Sequence, residues 1–132
     1  MSQVIEFHDS TLTRVTRVAS GIEVEVEAYV HRSPGKPAVD PGEGWVIPCK
    51  ITRLSTSKVS GNLEATGCIW EGSVSIAGGA SESVVALPLH HEGRCAIELL
   101  LTSGDIIRVL GSGLEVTPTG SGRFIEMFSG GA

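Results

Sequence analysis

The sequence predicts an all-β protein, an antiparallel β-barrel or a two-sheet β-sandwich of about eight or nine strands with little or no helix. Apolar and polar side chains alternate strictly between residues 22 and 31, as in a strand with one face on a core and one in water. Glycine and proline, 17 and 6 of the 132 residues, divide the chain into short segments. No segment carries clear helix start or stop signals. We expect one domain over residues 1–132.

The alternating segment is predicted to be the central strand. One face carries Ile22, Val24, Val26, Ala28 and Val30, and the other carries Glu23, Glu25, Glu27, Tyr29 and His31. β-Branched side chains suit a pleated surface because they lose little rotamer freedom there. We therefore expect the first set to face the core.

Composition and charge exclude some classes of partner. The chain has a formal net charge of −5 at pH 7 and no basic run. Binding to phosphate backbones needs clustered lysine and arginine. We therefore expect neither nucleic acid nor a membrane as a partner. With only 5% aromatic residues, the core should be mainly aliphatic.

The cysteines and the first residues indicate the compartment. Cys49, Cys68 and Cys95 are an odd number with no close pair, so we expect reduced thiols. The first seven residues lack the basic and apolar regions of a signal peptide. We therefore expect a cytoplasmic protein.

The first hairpin explains the glutamate row. We predict strands over residues 4–7 and 12–18, with a turn at residues 8–10 between them. Arg17 should then lie opposite Glu23, and a bulge should bring another arginine, Arg14, opposite Glu25. The glutamates would form a solvated face that is partly neutralised.

His8-Asp9-Ser10 has the residue types of a catalytic triad. Adjacent residues cannot reach one another in the geometry that a triad needs. We expect instead that Asp9 or Ser10 bonds nearby backbone.

Residues 32–44 form the one long break in the pattern, with three prolines and three glycines. Loops of this length are often functional. Tyr and Trp are frequent anchors at interfaces. The candidate ligand- or partner-binding residues are those in and beside this loop: Tyr29, His31, Arg32, Asp40 and Trp45.

The second half of the chain reads as a series of shorter strands. Their predicted ranges are 45–54, 68–76, 84–90, 95–102, 106–110, 114–116 and 123–128, with residues 55–67 as a polar connection. Because proline cannot donate to a ladder, the Pro48 strand should lie near a sheet edge or carry a bulge, and the Pro88 strand should lie near an edge or pair irregularly. Trp70 is expected in the core.

No metal or cofactor is expected. Adjacent side chains such as those of His90 and His91 point to opposite faces of a strand. The histidines and cysteines show no metal-ligand spacing.

Four short segments carry a resemblance: His8–Leu12, Ala28–Ser33, Gly44–Trp45 and Phe124–Glu126. On these residues the chain resembles a family of small bacterial proteins of unknown function. The resemblance implies a bacterial cytosolic β-domain and brings no assigned activity, cofactor or catalytic residue.

Three classes of function stay open. A binding or protein-interaction module acting through residues 31–45 is favoured, because no catalytic set is assembled along the chain; a small ligand in a barrel mouth is a variant of this class. A hydrolase-like enzyme using His8, His31 and Asp40 is the second. A structural homo-oligomer that pairs exposed strand edges is the third.

Overall fold

The computed structural model describes residues 2–36 and 39–129, without the side chains of residues 53, 54 and 128. Strands make up 76% of the described residues, which contain no helix. The strands in chain order are β1 (Ser2–Val18), β2 (Gly21–Ser33), β3 (Gly42–Gly61), β4 (Gly67–Ile76), β5 (Val84–Ala86), β6 (Leu89–Leu101), β7 (Ile106–Pro118) and β8 (Arg123–Phe128).

Six of the strands close into an antiparallel barrel, which confirms the all-β prediction and selects the barrel over the sandwich. Their order is β2-β1-β4-β6-β7-β3, and β3 pairs back with β2. β5 pairs with the first half of β1, and β8 with the first half of β3. At one end of the barrel, β5, β1, β2, β3 and β8 therefore form one sheet, the five-strand sheet.

The barrel interior is packed with apolar side chains, as expected for a small barrel. Val26 is 1% exposed, and its backbone partners are Leu12 on β1 and Cys49 on β3, both also buried. The apolar face predicted for β2 lies in this core: Ile22, Val24, Val26, Ala28 and Val30.

The register of the first hairpin differs from the prediction by one residue. Ala19 and Ser20 form a two-residue turn, so Thr16 and not Arg17 lies opposite Glu23. Lys50 on β3 provides the cation instead, with its Nζ 3.7 Å from Glu23 Oε2. The pairing of Arg14 with Glu25 is confirmed, but the bulge expected to produce it is absent, since the pairing runs without a break from Arg14–Glu25 to Val18–Gly21.

Several predicted breaks lie inside continuous strands. Residues 8–10 belong to β1, 55–61 to β3, and 111–113 to β7. The connection between β2 and β3 is shortened to residues 34–41, of which Pro37 and Ala38 lie outside the described residues. Neighbouring strands supply backbone partners to most of residues 55–61 and 111–113, whereas residues 8–10 are not paired in the register with β2.

Three placements from the sequence were wrong. β3 is not an edge strand, since Pro48 lies where β3 changes partner from β8 to β7 while β2 pairs along its other side. Pro88 lies between β5 and β6 and not within a strand. Trp70 is 66% exposed and does not lie in the core.

Candidate functional site

A wide bulge in β1 positions the His8-Asp9-Ser10 segment. Residues 7–10 stand opposite the single residue Ala28, between the paired positions Glu6–Tyr29 and Thr11–Glu27. Bulges of this kind redirect side chains and are frequent beside functional sites. His8 and Asp9 are half exposed on the bulge, whereas Phe7 is fully buried.

Ser10 links the bulge to β1 and β2 by hydrogen bonds. Its buried hydroxyl donates a hydrogen bond of 2.8 Å to the Glu6 carbonyl oxygen and accepts one of 2.9 Å from the Tyr29 backbone N–H. The expectation that Asp9 or Ser10 bonds nearby backbone is confirmed for Ser10, within a strand and not in a turn.

Four side chains form a row across the outer face of the five-strand sheet: Glu6, His31, Tyr29 and Glu126. We call this row of four side chains the polar strip. His31 Nδ1 lies 3.6 Å from Glu6 Oε1, and the rings of His31 and Tyr29 meet edge to face at 5.0 Å. The Tyr29 hydroxyl donates a hydrogen bond to Glu126 Oε1. The strip therefore links β1, β2 and β8.

Gly44 allows the polar strip to reach β8. It lies on β3 between His31 and Glu126 in the register, and a Cβ atom there would collide with the Tyr29 hydroxyl. The absence of a side chain lets the tyrosine cross β3 to the carboxylate.

The environment of Tyr29 opposes its ionisation. Burial is the main cause that raises its pKa above the ordinary value of 10.0, and the hydrogen bond to Glu126 and nearby carboxylates add to it. A group whose pKa is raised on folding stabilises the protein below the unfolded-state pKa, and this contribution is lost as the pH rises beyond it.

Because the chain has one tyrosine, phenolate absorbance can follow Tyr29 alone. In guanidinium chloride, Tyr29 should ionise near pH 10. At the same pH, we expect the folded protein to show no phenolate absorbance. The free energy of unfolding should fall above that pH, with a contribution from Tyr29 of roughly 1.4 kcal/mol per pH unit.

Tyr29→Phe is the control, because it should remove that part of the alkaline loss while other groups still titrate. A phenolate that appears near pH 10 in protein with native circular dichroism would contradict this prediction.

Arg32 and Trp45 lie on the opposite face of the five-strand sheet from Tyr29 and His31, since Trp45 pairs with Val30. The Arg32 guanidinium carbon stands 4.4 Å from the Trp45 ring centroid, and its Nε donates to Gln3 Oε1 at 2.9 Å. The indole N–H donates to Glu43 Oε1 at 2.9 Å.

Asp40 lies in the loop between β2 and β3. Its Oδ2 accepts a hydrogen bond of 2.6 Å from the Lys36 backbone N–H, which closes the loop on itself. The five predicted residues are thus divided among two sheet faces and a loop, and Tyr29 and His31 are buried. Their binding role stays a prediction.

A concave surface lies elsewhere, on the outer face of β3, β7, β6 and β4. Its floor is formed by two rows of paired residues that cross β3, β7, β6 and β4 in that order. One row is Ser60, Arg108, Glu98 and Ser73, and the adjacent row is Lys58, Leu110, Ala96 and Ser75. Two adjoining cavities of about 270 and 280 Å³ lie over these rows. We call this surface the outer groove.

The segment between β4 and β5 forms one wall of the outer groove. It folds back along β4, where Val74 and Glu82 exchange two backbone hydrogen bonds of 2.9 Å. The hydroxyls of Ser75 and Ser81 are 2.9 Å apart across this turn. The wall is therefore tied to the barrel.

The outer groove concentrates positive charge on an otherwise acidic protein. Lys58, Arg94 and Arg108 line the two cavities together with one carboxylate, that of Glu98. Arg108 Nε donates a hydrogen bond of 2.6 Å to Glu98 Oε2. These residues were not predicted as a site, because along the chain each one is only an outward-facing position of a strand.

The two buried cysteines do not present an activated nucleophile. All three are unpaired, and Cys49 and Cys95 are buried while Cys68 is exposed. Burial raises the pKa of Cys49 to about 11 and also raises that of Cys95. Since the thiolate is the reactive form, the two buried thiols are poor nucleophiles.

Comparisons of the chain with protein-family models, curated proteins and solved structures found no match. The resemblance to small bacterial proteins therefore stays a prediction. Its four segments lie on β1, β2, β3 and β8, which are neighbours in the five-strand sheet. The described residues include no helix long and apolar enough to cross a membrane.

Proposed function

We propose that this protein is a binding module that holds a small amphipathic organic anion in the outer groove. The observation that carries the proposal is the pair of adjoining cavities, one polar and cationic and the other mainly apolar. Small-molecule sites are typically concave surfaces with a few convergent polar groups on an apolar lining.

The polar cavity supports the anionic part of the ligand. Arg108 and Lys58 stand on adjacent rows of the groove floor, beside the hydroxyls of Ser60, Ser73 and Ser75. Charged donors form stronger hydrogen bonds than neutral ones. Hydroxyl groups can complete the coordination of a carboxylate, sulfonate or phosphate.

The second cavity supports the apolar part. Its lining includes Ala96, Leu110 and Gly111, and Leu110 is 44% exposed to solvent in the free protein. Covering that surface with an apolar group would be favourable by about 25 cal/mol per Å². A ligand with an apolar body and an anionic head fits both halves.

The other functions considered from the sequence have less support. Tyr29 and His31 are buried, so they could meet a partner only after the surrounding side chains move. Asp40 is bound within its own loop, and the barrel interior is filled.

Homo-oligomer formation stays a prediction that light scattering tests. A bacterial, cytoplasmic setting remains part of the proposal, supported by the odd cysteine number.

Anilinonaphthalene sulfonate, a fluorescent amphipathic anion, tests the proposal. We expect saturable binding of one probe per chain, with NMR amide shifts concentrated on β6, β7 and the adjoining part of β3. Replacing both Lys58 and Arg108 with glutamine should weaken binding by about tenfold or more, because Glu98 would then face the anion unpaired.

The matched control replaces Arg14 and Lys36, two exposed cations away from the outer groove, with glutamine. Its affinity should stay within about twofold of the parent. The neutral analogue N-phenylnaphthylamine should bind the parent more weakly than the sulfonate does. Amide shifts centred on Trp70 or β8, or equal binding by both variants, would overturn the proposal.

A further inference from the structure

We propose a metal site at the β1 bulge, formed by Glu6, His8 and Asp9, that takes a divalent transition-metal ion. It is separate from the outer groove and does not depend on the proposed function. One ligand atom from each of the three side chains lies within 4.8 Å of the others.

Two carboxylates converge on one ring nitrogen of His8. Asp9 Oδ2 is 3.1 Å and Glu6 Oε2 is 4.0 Å from His8 Nε2. Atoms that share a metal ion at bond lengths of about 2.0–2.2 Å are separated by roughly 3–3.5 Å. Small rotations of two half-exposed side chains, His8 and Asp9, would bring the three donors to those separations.

The contrast with His90 shows why this convergence matters. His90 also contacts two carboxylates, but Glu115 faces its Nδ1 at 3.3 Å and Glu92 faces its Nε2 at 3.5 Å. One ion cannot occupy both sides of the ring. At His8 both carboxylates face the same nitrogen, so a single ion can contact all three groups.

The donor set indicates the kind of metal. One imidazole and two carboxylates suit Zn²⁺ and similar first-row ions, and three protein ligands leave a coordination position open. Such an ion is held more weakly than in a closed cysteine site. It would also balance the two negative charges that the carboxylates bring together at the bulge.

His31 supplies the positioning group. It is 4% exposed, and its Nδ1 faces Glu6 Oε1, the carboxylate oxygen that does not face His8. At 3.6 Å this contact is longer than a hydrogen bond, but the buried ring restricts the orientation of the carboxylate from behind. Losing an outer-sphere partner of a ligand typically costs about 10–100-fold in metal affinity. The polar strip thus holds one ligand of the site in place.

The expectation that the chain binds no metal rests on the spacing of the histidines and cysteines alone and leaves the carboxylates aside. On a regular strand His8 and Asp9 would point to opposite faces. The four-residue bulge removes that restriction, because its backbone turns both side chains toward Glu6.

Calorimetric titration of the tag-free protein with Zn²⁺ tests the site. We expect one equivalent to bind, and Co²⁺ to give the absorption spectrum of nitrogen and oxygen ligation. His8→Gln and Asp9→Asn should each weaken Zn²⁺ binding by about tenfold or more. Both residues are about half exposed, so these variants should fold normally.

His90→Gln is the matched control and should bind Zn²⁺ as the parent does. His31→Gln should weaken binding without changing the stoichiometry; if it fails to fold, the two exposed variants still decide the result. The site is refuted if the parent shows no saturable binding of one equivalent. It is also refuted if His8→Gln and Asp9→Asn bind as tightly as His90→Gln.

Discussion

Replacing Val26 with aspartate should prevent the protein from folding. Val26 lies in the middle of β2, is 1% exposed, and is paired with Leu12 and Cys49 in the apolar interior. A carboxylate there would be buried without a partner, which costs several kcal/mol. Small domains are stable by only about 5–15 kcal/mol in total.

The measurement is a thermal or urea unfolding transition followed by circular dichroism. Glu27→Asp is the control, because it places the same side chain at the next, exposed position of β2, and it should unfold nearly as the parent does. If the Val26→Asp protein were soluble and melted cooperatively, this face of β2 could not be the core.

Replacing Phe7 with alanine should lower the free energy of unfolding by about 3–5 kcal/mol. Phe7 is the largest fully buried side chain of the β1 bulge. It packs against Gly72 on β4 so closely that a Cβ at that glycine would lie 2.7 Å from the Phe7 Cβ. The ring therefore anchors the bulge that carries His8 and Asp9.

Urea unfolding followed by circular dichroism gives this loss directly. Phe124→Ala is the matched control, since Phe124 is 47% exposed and meets only the edge of Trp45 among the described aromatic contacts. It should cost no more than about 1.5 kcal/mol. Equal losses for the two variants would show that Phe7 does not anchor the bulge.

The candidate sites were only partly predictable. The alternation in residues 22–31 placed Tyr29 and His31 on the same face of β2, and this is confirmed. That face was expected in water, whereas both side chains are buried beneath their neighbours. Their partners Glu6 and Glu126 come from positions 23 or more residues away along the chain. No local pattern indicates which strands will lie beside β2.

The groove residues were missed for the same reason. Lys58, Glu98 and Arg108 are ordinary outward positions when each strand is considered alone. They meet because β3, β7 and β6 align those positions in one row or in adjacent rows. A concave surface is a property of several strands together.

The sequence by itself determined the all-β class and the face of β2 that enters the core, because both depend on the two-residue period of a strand. It did not determine where strands end. Residues 8–10, 55–61 and 111–113 have the composition of turns, yet each continues a strand. In residues 55–61 and 111–113, backbone groups that stay paired with neighbouring strands outweigh weak local preferences.

Closure of the barrel, the bulge at residues 7–10 and the exposure of Trp70 were decided only by the tertiary structure. Each depends on which strand pairs with which and in what register, and one shifted residue changes every facing pair. The hairpin shows this directly, since its shorter turn moved Arg17 away from Glu23 and left Lys50 on β3 as the glutamate's partner.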